Sequence, residues 1–512
     1  MTRQDALPLL PVYRGEQIRE AERPLIEDGR GAELMRRAAY GLAECVANTL
    51  RQRGRVYGSA VTALVGSGNN GADALYALSF LRRRGAAAYA VLVRGRAHQA
   101  GLAAFQRAGG HVVDTIPEAT EVLIDAVVGT GFSGDYQRPQ TAGLDTALDT
   151  AAVVACDLPS GVDADTGRAG EGVIAAQHTV TFGGLKQGLL AGAGGHLSGR
   201  LHTVDIGLGP HLPRTPVTSA APHPETARAA GTSIAPLQHP SSTDHKYSRG
   251  TLLIHAGSAQ FPGAAQLSVG AAVATGVGMV TLAAPEAVRR QVLAAWPETL
   301  GAEPDSRDRQ RADAVVIGPG LGNDPQRLDQ AQTALQQARE NDSRCVLDAS
   351  GLQLIRHQLH HQDGLGSNVL ITPHLGEARR IADDLRDPVL GRMLATAGPM
   401  SDPIGAARRL SGRLDCHVLL KGATTILAAP EGEVLLHRAQ TEGRPGVAGL
   451  ATAGTGDVLC GILGALAASQ SGSWLSVAAH AVHRHAGAAV AIDPHEEASF
   501  GASALISALP HS

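Results

Sequence analysis

The 512-residue sequence predicts an α/β protein of two domains. Short β-branched runs alternate with helix-length amphipathic segments over residues 59–207, and the same alternation returns from residue 251. Strands apolar on both faces, separated by helices, mark parallel sheets covered on each side. The length also exceeds a single core, since domains average ~150 residues. Between 207 and 245 the texture shifts to Pro, Ser, Thr, Ala and His without a period, which reads as an extended linker. The expected boundaries are 1–215, a linker at 216–240, and 241–512.

Residues 1–55 are expected to be mostly helical, including the run Ala32–Leu50. VTALVG (61–66) then reads as a buried strand, followed by a glycine loop and a helix near Leu75–Leu81. AYAVLV (88–93), VLIDAVV (122–128), VVACDLP (153–159) and HTVTFGG (178–184) complete a doubly wound, Rossmann-like series. The second series is TLLIHAG (251–257), GMVTLAA (278–284), DAVVIGPG (313–320), RCVLDAS (344–350), NVLITPH (368–374) and CHVLLKG (416–422). Residues 424–438 read as a hairpin turning at Pro430–Gly432, and two Ala/Gly-rich helices close the domain. The uncharged stretch Gly263–Pro285 is long enough to span a bilayer, yet its glycines and hydroxyls divide it into a buried helix and strand.

A net charge of −4 gives no global attraction to nucleic acid or anionic lipid, so neither is expected as a partner. The five cysteines lie far apart, with no CxxC or Cys/His run at zinc spacing. Neither disulfides nor structural zinc is expected, and the chain reads as a soluble cytoplasmic protein. Lysine occurs only at Lys186, Lys246 and Lys421, so each lysine merits inspection.

Gly66, Gly68 and Gly71 form GSGNNG between a strand and a helix. Such glycines let the backbone approach a ligand, and a helix start offers free N–H groups to a phosphate. On spacing alone a tight βα turn explains them equally well. Asn69, Asn70 and Asp73 add groups able to fix a polar ligand or a cation. Asp125 ends VLID before the loop Gly129–Asp135, and Asp157 ends VVACD before Pro159, Ser160 and Gly161. One acidic strand end often caps a helix; three polar strand ends at one crevice read as a site.

LMRRAAYGLAECV, VGSGNNGADAL, LIDAVVGTGFSG, ACDLPSGVDADTG and TVTFGGLKQGLL follow in order over residues 10–210 and resemble the NAD(P)H-hydrate epimerases. The resemblance implies that Asn69, Asn70, Gly71, Ala72 and Asp73 bind the hydrated nicotinamide nucleotide. Gly129, Thr130, Gly131, Phe132, Ser133, Gly134 and Asp135 would join them. It also implies potassium at Asn70, Asp125 and Ser160, with Asp157 as the acid/base that contacts the substrate. The family's NNGGDG is NNGADA here. The methyls of Ala72 and Ala74 are expected to crowd the backbone's approach and lower epimerase activity without abolishing it.

The densest signal is Ala451–Asp457, ATAGTGD, which leads into VLCGILGAL. A small-residue loop at a helix start presents N–H groups to a transferring phosphoryl group, and Asp457 is placed to accept a hydroxyl proton. HKYSRG, GSAQFPGAAQLSVGAA, VVIGPGLG, LDASGL, ITPHLGEARRI, LLKGATT and GLATAGTGDVLCGI follow across 240–510. They resemble the NAD(P)H-hydrate dehydratases, a branch of the ribokinase-like fold. By that resemblance Ala264, Gly320, Gly322, His374 and Asp457 would contact the hydrate. Lys421, Gly422, Ala423, Thr424, Thr425 and Gly456 would hold an adenine nucleotide, carried with magnesium. Ser350 stands where the family has aspartate.

Together the resemblances imply metabolite repair. One half would interconvert the R and S hydrates of NADH or NADPH. The other would dehydrate the S form at the expense of ADP or ATP, with Asp457 and Asp157 catalytic, and a homo-oligomer is expected. The alternative is a ribokinase-like small-molecule kinase carrying a non-catalytic nucleotide-binding N-terminal domain.

Overall fold

A computed structural model describes residues 6–132, 134–213, 218–221, 232–304, 312–359, 364–396, 398, 400–438, 440–441, 444–445, 447–495 and 499–509. Ser133 and residues 216–217 and 222–231 of the expected linker lie outside these. The chain divides into two compact units, one of residues 11–218 with 395–402, the other of 1–10, 219–394 and 403–512. The expected boundaries differ in two respects, because residues 1–10 join the second unit and 395–402 join the first.

In the first unit, seven strands form one parallel sheet. Their spatial order is His111–Val112, Ala87–Leu92, Ala60–Val65, Thr120–Ala126, Ala152–Cys156, His178–Phe182 and Arg200–Val204. The central strands are wholly buried because apolar residues occupy both faces. Helices Gly31–Gln52 and Asn69–Arg83 pack a core of Leu42, Val46, Leu50, Leu75 and Leu78 against one face. Chain order reverses direction between Ala60–Val65 and Thr120–Ala126. Ligands in such sheets bind outside the strand ends at that reversal.

The second unit carries seven parallel strands in the order Leu300–Ala302, Met279–Ala283, Thr251–His255, Ala314–Ile317, Arg344–Leu347, Val369–Ile371 and His417–Leu420. The antiparallel hairpin Thr424–Ala428 and Val434–Arg438 extends the sheet. Helices Pro262–Thr275, Thr455–Ser469 and Trp474–Ile492 bury the apolar face. The first two pack very closely, since a Cβ on Gly461 would sit 2.2 Å from the Ser268 carbonyl oxygen. Direction reverses between Thr251–His255 and Ala314–Ile317, defining a second crevice.

The N-terminal stretch is mostly helical as expected, over Gly15–Glu27 and Gly31–Gln52, but it opens with a strand, Leu7–Tyr13, whose Leu7–Leu9 pair antiparallel with Thr232–Ile234. The expected linker therefore supplies a sheet-edge strand, because a three-residue apolar-ended segment needs no period to join a ladder. Among the described residues, no helix is long and apolar enough to cross a membrane.

Candidate active sites

In the first unit, the GSGNNG loop follows Ala60–Val65. A Cβ on Gly66 would lie 1.9 Å from the Val127 carbonyl oxygen, and one on Gly71 would lie 2.1 Å from the Gly66 oxygen. These two glycines are therefore demanded by packing of the loops. Gly68 is not, since nothing lies within 4 Å of its would-be Cβ. It precedes helix Asn69–Arg83, whose N-terminus no side chain caps. The backbone here is open to an anion, with exposed Asn69 beside it.

Asn70, Asp125 and Ser160 do come together. Asp125 Oδ1 accepts from Ser160 Oγ at 2.6 Å and Oδ2 accepts from Ser160 N at 2.8 Å. Ser160 Oγ and Asn70 Nδ2 both reach the Val128 carbonyl, at 3.2 and 3.0 Å. Asp125 and Ser160 are fully buried. Within the cluster, Asp125 and Ser160 are thus closed to a substrate, whereas Asn70, against Gly129, stays half-buried.

Asp157 sits above it with a left-handed φ of 67°, a conformation aspartate tolerates better than most residues. Its Oδ1 accepts from Lys186 Nζ at 2.5 Å, and its Oδ2 accepts from both the hydroxyl and the N–H of Thr130. Lys186 is 1% exposed and also donates to Thr181 Oγ1 and Phe182 O. Burial pushes the Asp157 carboxyl up, but the Lys186 ammonium and these hydrogen bonds outweigh it and hold the group below its ordinary value. Asp73 behaves oppositely. Burial pushes it well above the usual carboxylate range, the negative charges of Asp157 and Glu22 add, and Lys186 opposes. Its Oδ1 is buried without a hydrogen-bond partner.

Ala72 and Ala74 correct an expectation. Both are fully buried, the Ala74 side chain lies in the hydrophobic core, and Ala72 faces helix Gln99–Arg107 across Gly101. The Ala72 N–H donates to Gly68 O, so this residue offers a substrate neither methyl nor amide. In the loop, Phe132 packs edge-on to Tyr136, while Gly131, Gly134 and Asp135 are exposed. Glu22 and Lys186 are additions to the expected set; the scarcity of lysine was the available signal for the second.

In the second unit, Gly318 and Gly320 adopt φ of 133° and 66°. A Cβ on Gly320 would meet Ala264 Cβ at 2.7 Å, so these two expected residues are neighbours, and Gly322 lies beside Phe261. Ser350 Oγ accepts from the Gly322 N–H at 3.2 Å, fixing this loop without a second carboxylate. Buried Asp348 accepts from Thr372 Oγ1 and Lys421 Nζ, each at 2.7 Å, and Glu377 Oε2 lies 3.9 Å from the same ammonium. Lys421 is therefore an ion-pair partner as well as a strand-end cation. Gly422 and Ala423 are exposed and Thr424 and Thr425 half-buried beside it.

His374 has a structural role alongside the expected one. Its Nδ1 caps helix Leu375–Asp384 by accepting from the N–H groups of Gly376 and Glu377, leaving Nε2 on a largely exposed ring. Helix Thr455–Ser469 begins at Gly454, φ 89°, with no side-chain cap. A Cβ on Gly456 would stand 3.7 Å from Lys421 Nζ, so lysine and helix start converge. Burial pushes the Asp457 carboxyl up to about 6, with Asp348 adding and Lys421 opposing. A carboxylate so tuned is matched to proton transfer near neutral pH.

Each unit thus presents a glycine loop, an uncapped helix start and a carboxyl of shifted proton affinity at the reversal of a parallel sheet. That defines an α/β enzyme with two nucleotide-handling sites. Family models match accordingly: residues 31–188 fit the YjeF-related protein N-terminus, and 252–511 fit NAD(P)H-hydrate dehydratase. The chain is 42% identical to the bifunctional NAD(P)H-hydrate repair enzyme Nnr of Mycobacterium tuberculosis, over 89% of each, and 40% identical to that of Mycobacterium leprae, over 94% of each. A ribokinase-like superfamily protein of Enterococcus faecalis has TM-score 0.45 at 22% identity, covering 54% of this chain and 90% of that one. The chain belongs to the family of bifunctional NAD(P)H-hydrate repair enzymes.

Proposed function

We propose that this chain restores hydrated NADH and NADPH by epimerising the two hydrates in the first unit and dehydrating the S form in the second. Family membership over both halves supports the pairing, and one observation carries the chemistry: Asp457, pushed up to about 6, lies in the first turn of helix Thr455–Ser469, whose start has no side-chain cap and meets Lys421. Asp457 accepts the proton of the hydrate's hydroxyl as that oxygen attacks the terminal phosphorus of ADP or ATP. The new O–P bond replaces the bond to the nucleotide, which leaves as AMP or ADP. The carbon–oxygen bond then breaks with loss of a ring proton, releasing phosphate and the reduced cofactor. Gly456 and its neighbours offer N–H groups to the phosphoryl oxygens, and Lys421 supplies positive charge beside them. Lys421 to Thr425 hold the nucleotide, while Ala264, Gly320, Gly322 and His374 position the hydrate.

Asp348, Glu377 and Asp457 make an oxygen-rich setting that fits magnesium brought in on the nucleotide phosphates. Magnesium there would neutralise phosphate charge. In the first unit, the Val128 carbonyl, the Ser160 hydroxyl, the Asp125 carboxylate and the Asn70 amide fit potassium. The amide would turn its oxygen inward, since oxygen and nitrogen of an asparagine exchange by rotation. A cation there would fix the Gly129 loop.

Epimerisation can open the bond from the hydroxyl-bearing carbon to the ring nitrogen as the hydroxyl proton leaves and the ring fragment gains a proton. Closing that bond on the other face returns both protons, so the reaction needs a proton acceptor and a donor. Asp73, whose proton affinity is raised, and Asp157, whose affinity is lowered, divide those roles, as carboxyls with opposed environments do. Mixed epimers supplied with ADP or ATP test the reading. Free phosphate with restored dihydronicotinamide absorbance supports repair; a stable phosphorylated product would instead establish the small-molecule kinase.

A further inference from the structure

The sequence holds no Cys/His run at zinc spacing, yet the fold assembles one from three distant segments. We infer that Cys45, His178 and His202 bind one Zn2+ or a similar divalent d-block cation, at a site separate from both reactions. Cys45 lies on helix Gly31–Gln52, His178 opens strand His178–Phe182, and His202 lies on the neighbouring strand Arg200–Val204. The sulfur and the facing ring nitrogens all fall within 4.8 Å of one another, and His178 Nδ1 is 3.1 Å from His202 Nε2. Tetrahedral zinc with Zn–N of ~2.0–2.1 Å sets two nitrogens ~3.3 Å apart, and sulfur and nitrogen ~3.6 Å apart. The nitrogens already meet that span, and the sulfur needs to close by ~1.2 Å at most.

Three protein ligands of thiolate and imidazole type suit Zn2+ and are a poor match for oxygen-seeking Mg2+. Cys45 is buried while both histidines are only half-buried, so water can reach the metal as a fourth ligand. Binding forms a metal–sulfur bond and releases the thiol proton to solvent. His178 stands at the opening of its strand, whereas Lys186, which pairs with Asp157, follows the strand's other end. The metal would pin the edge strand Arg200–Val204 to the covering helix.

Cobalt titration of the metal-free full-length protein tests this by spectroscopy. One Co2+ per chain should give a thiolate-to-cobalt charge-transfer band that Zn2+ abolishes and Mg2+ leaves unchanged. Cys45→Ser should lose the band, and His202→Gln should weaken Co2+ binding by at least about tenfold. Zn2+ should raise the Tm of the wild type and leave that of Cys45→Ser unmoved. A wild-type protein with no charge-transfer band, or one whose band survives in Cys45→Ser, overturns the site.

Discussion

Two lysine–aspartate pairs, together with burial, tune the carboxyls to which the proposed reactions are assigned. Lys421 touches Asp348 and restrains the upward push on Asp457, so Asp457 is ionised at neutral pH yet still able to take a proton. If, as proposed, the carboxylate is the working form, kcat/KM for dehydration should rise about tenfold per pH unit below 6 and level off above it. Asp457→Asn should lower dehydration by ~10²–10⁴ while leaving ADP affinity nearly unchanged. Its Tm at pH 7.5 should be equal or higher, since a carboxyl whose folded value is raised destabilises the fold when ionised. Near-wild-type turnover would remove Asp457 from the mechanism. Lys186 pairs with Asp157 in the first unit at 1% exposure. Lys186→Met leaves that carboxylate unpaired and should cost about 3–5 kcal/mol of stability, part of which Asp157→Asn should restore in the double variant. The sign follows from the lowered Asp157 value. Its contribution is complete above the unfolded value and disappears as pH falls through the lower folded one. Chemical denaturation at pH 7 and pH 3 measures both effects.

At the scale of loops and helices, glycines that look alike in the sequence do different work. Gly66→Ala would drive a methyl to 1.9 Å from the Val127 oxygen and should destabilise by at least ~1–3 kcal/mol. Gly68→Ala meets open space, so Tm should hold while the epimerase KM rises. Equal losses of Tm in both variants would contradict this division. Ala72→Gly and Ala74→Gly should each cost roughly 0.8–1.0 kcal/mol through helix propensity without raising epimerase turnover. A rise in turnover would restore the crowding expected from the motif. The parallel strands and their polar ends were legible because a strand buried on both faces reads as a continuous apolar run that stops at the crevice. The strand Leu7–Tyr13 was not, as its pairing partner Thr232–Ile234 is more than two hundred residues away. Likewise, Asp73 is one polar residue of a motif in the sequence, and only its neighbours Asp157, Glu22 and Lys186 reveal its altered proton affinity. His374 illustrates the same limit, since the sequence shows a strand-end histidine and the fold turns half of it into a helix cap.

Over the whole molecule, two separate crevices serve one damaged cofactor, so each site can be silenced without the other. The most direct measurement follows dihydronicotinamide absorbance and phosphate together, using mixed epimers with saturating ADP and potassium, for the wild type, Asp157→Asn and Asp457→Asn. The wild type should restore all the hydrate with one phosphate released per cofactor. Asp157→Asn should stop promptly at the S fraction and then creep at the spontaneous epimerisation rate, while Asp457→Asn should restore none. Complete, single-phase recovery by Asp157→Asn, or restoration by Asp457→Asn at the wild-type rate, would contradict two-site repair by this chain.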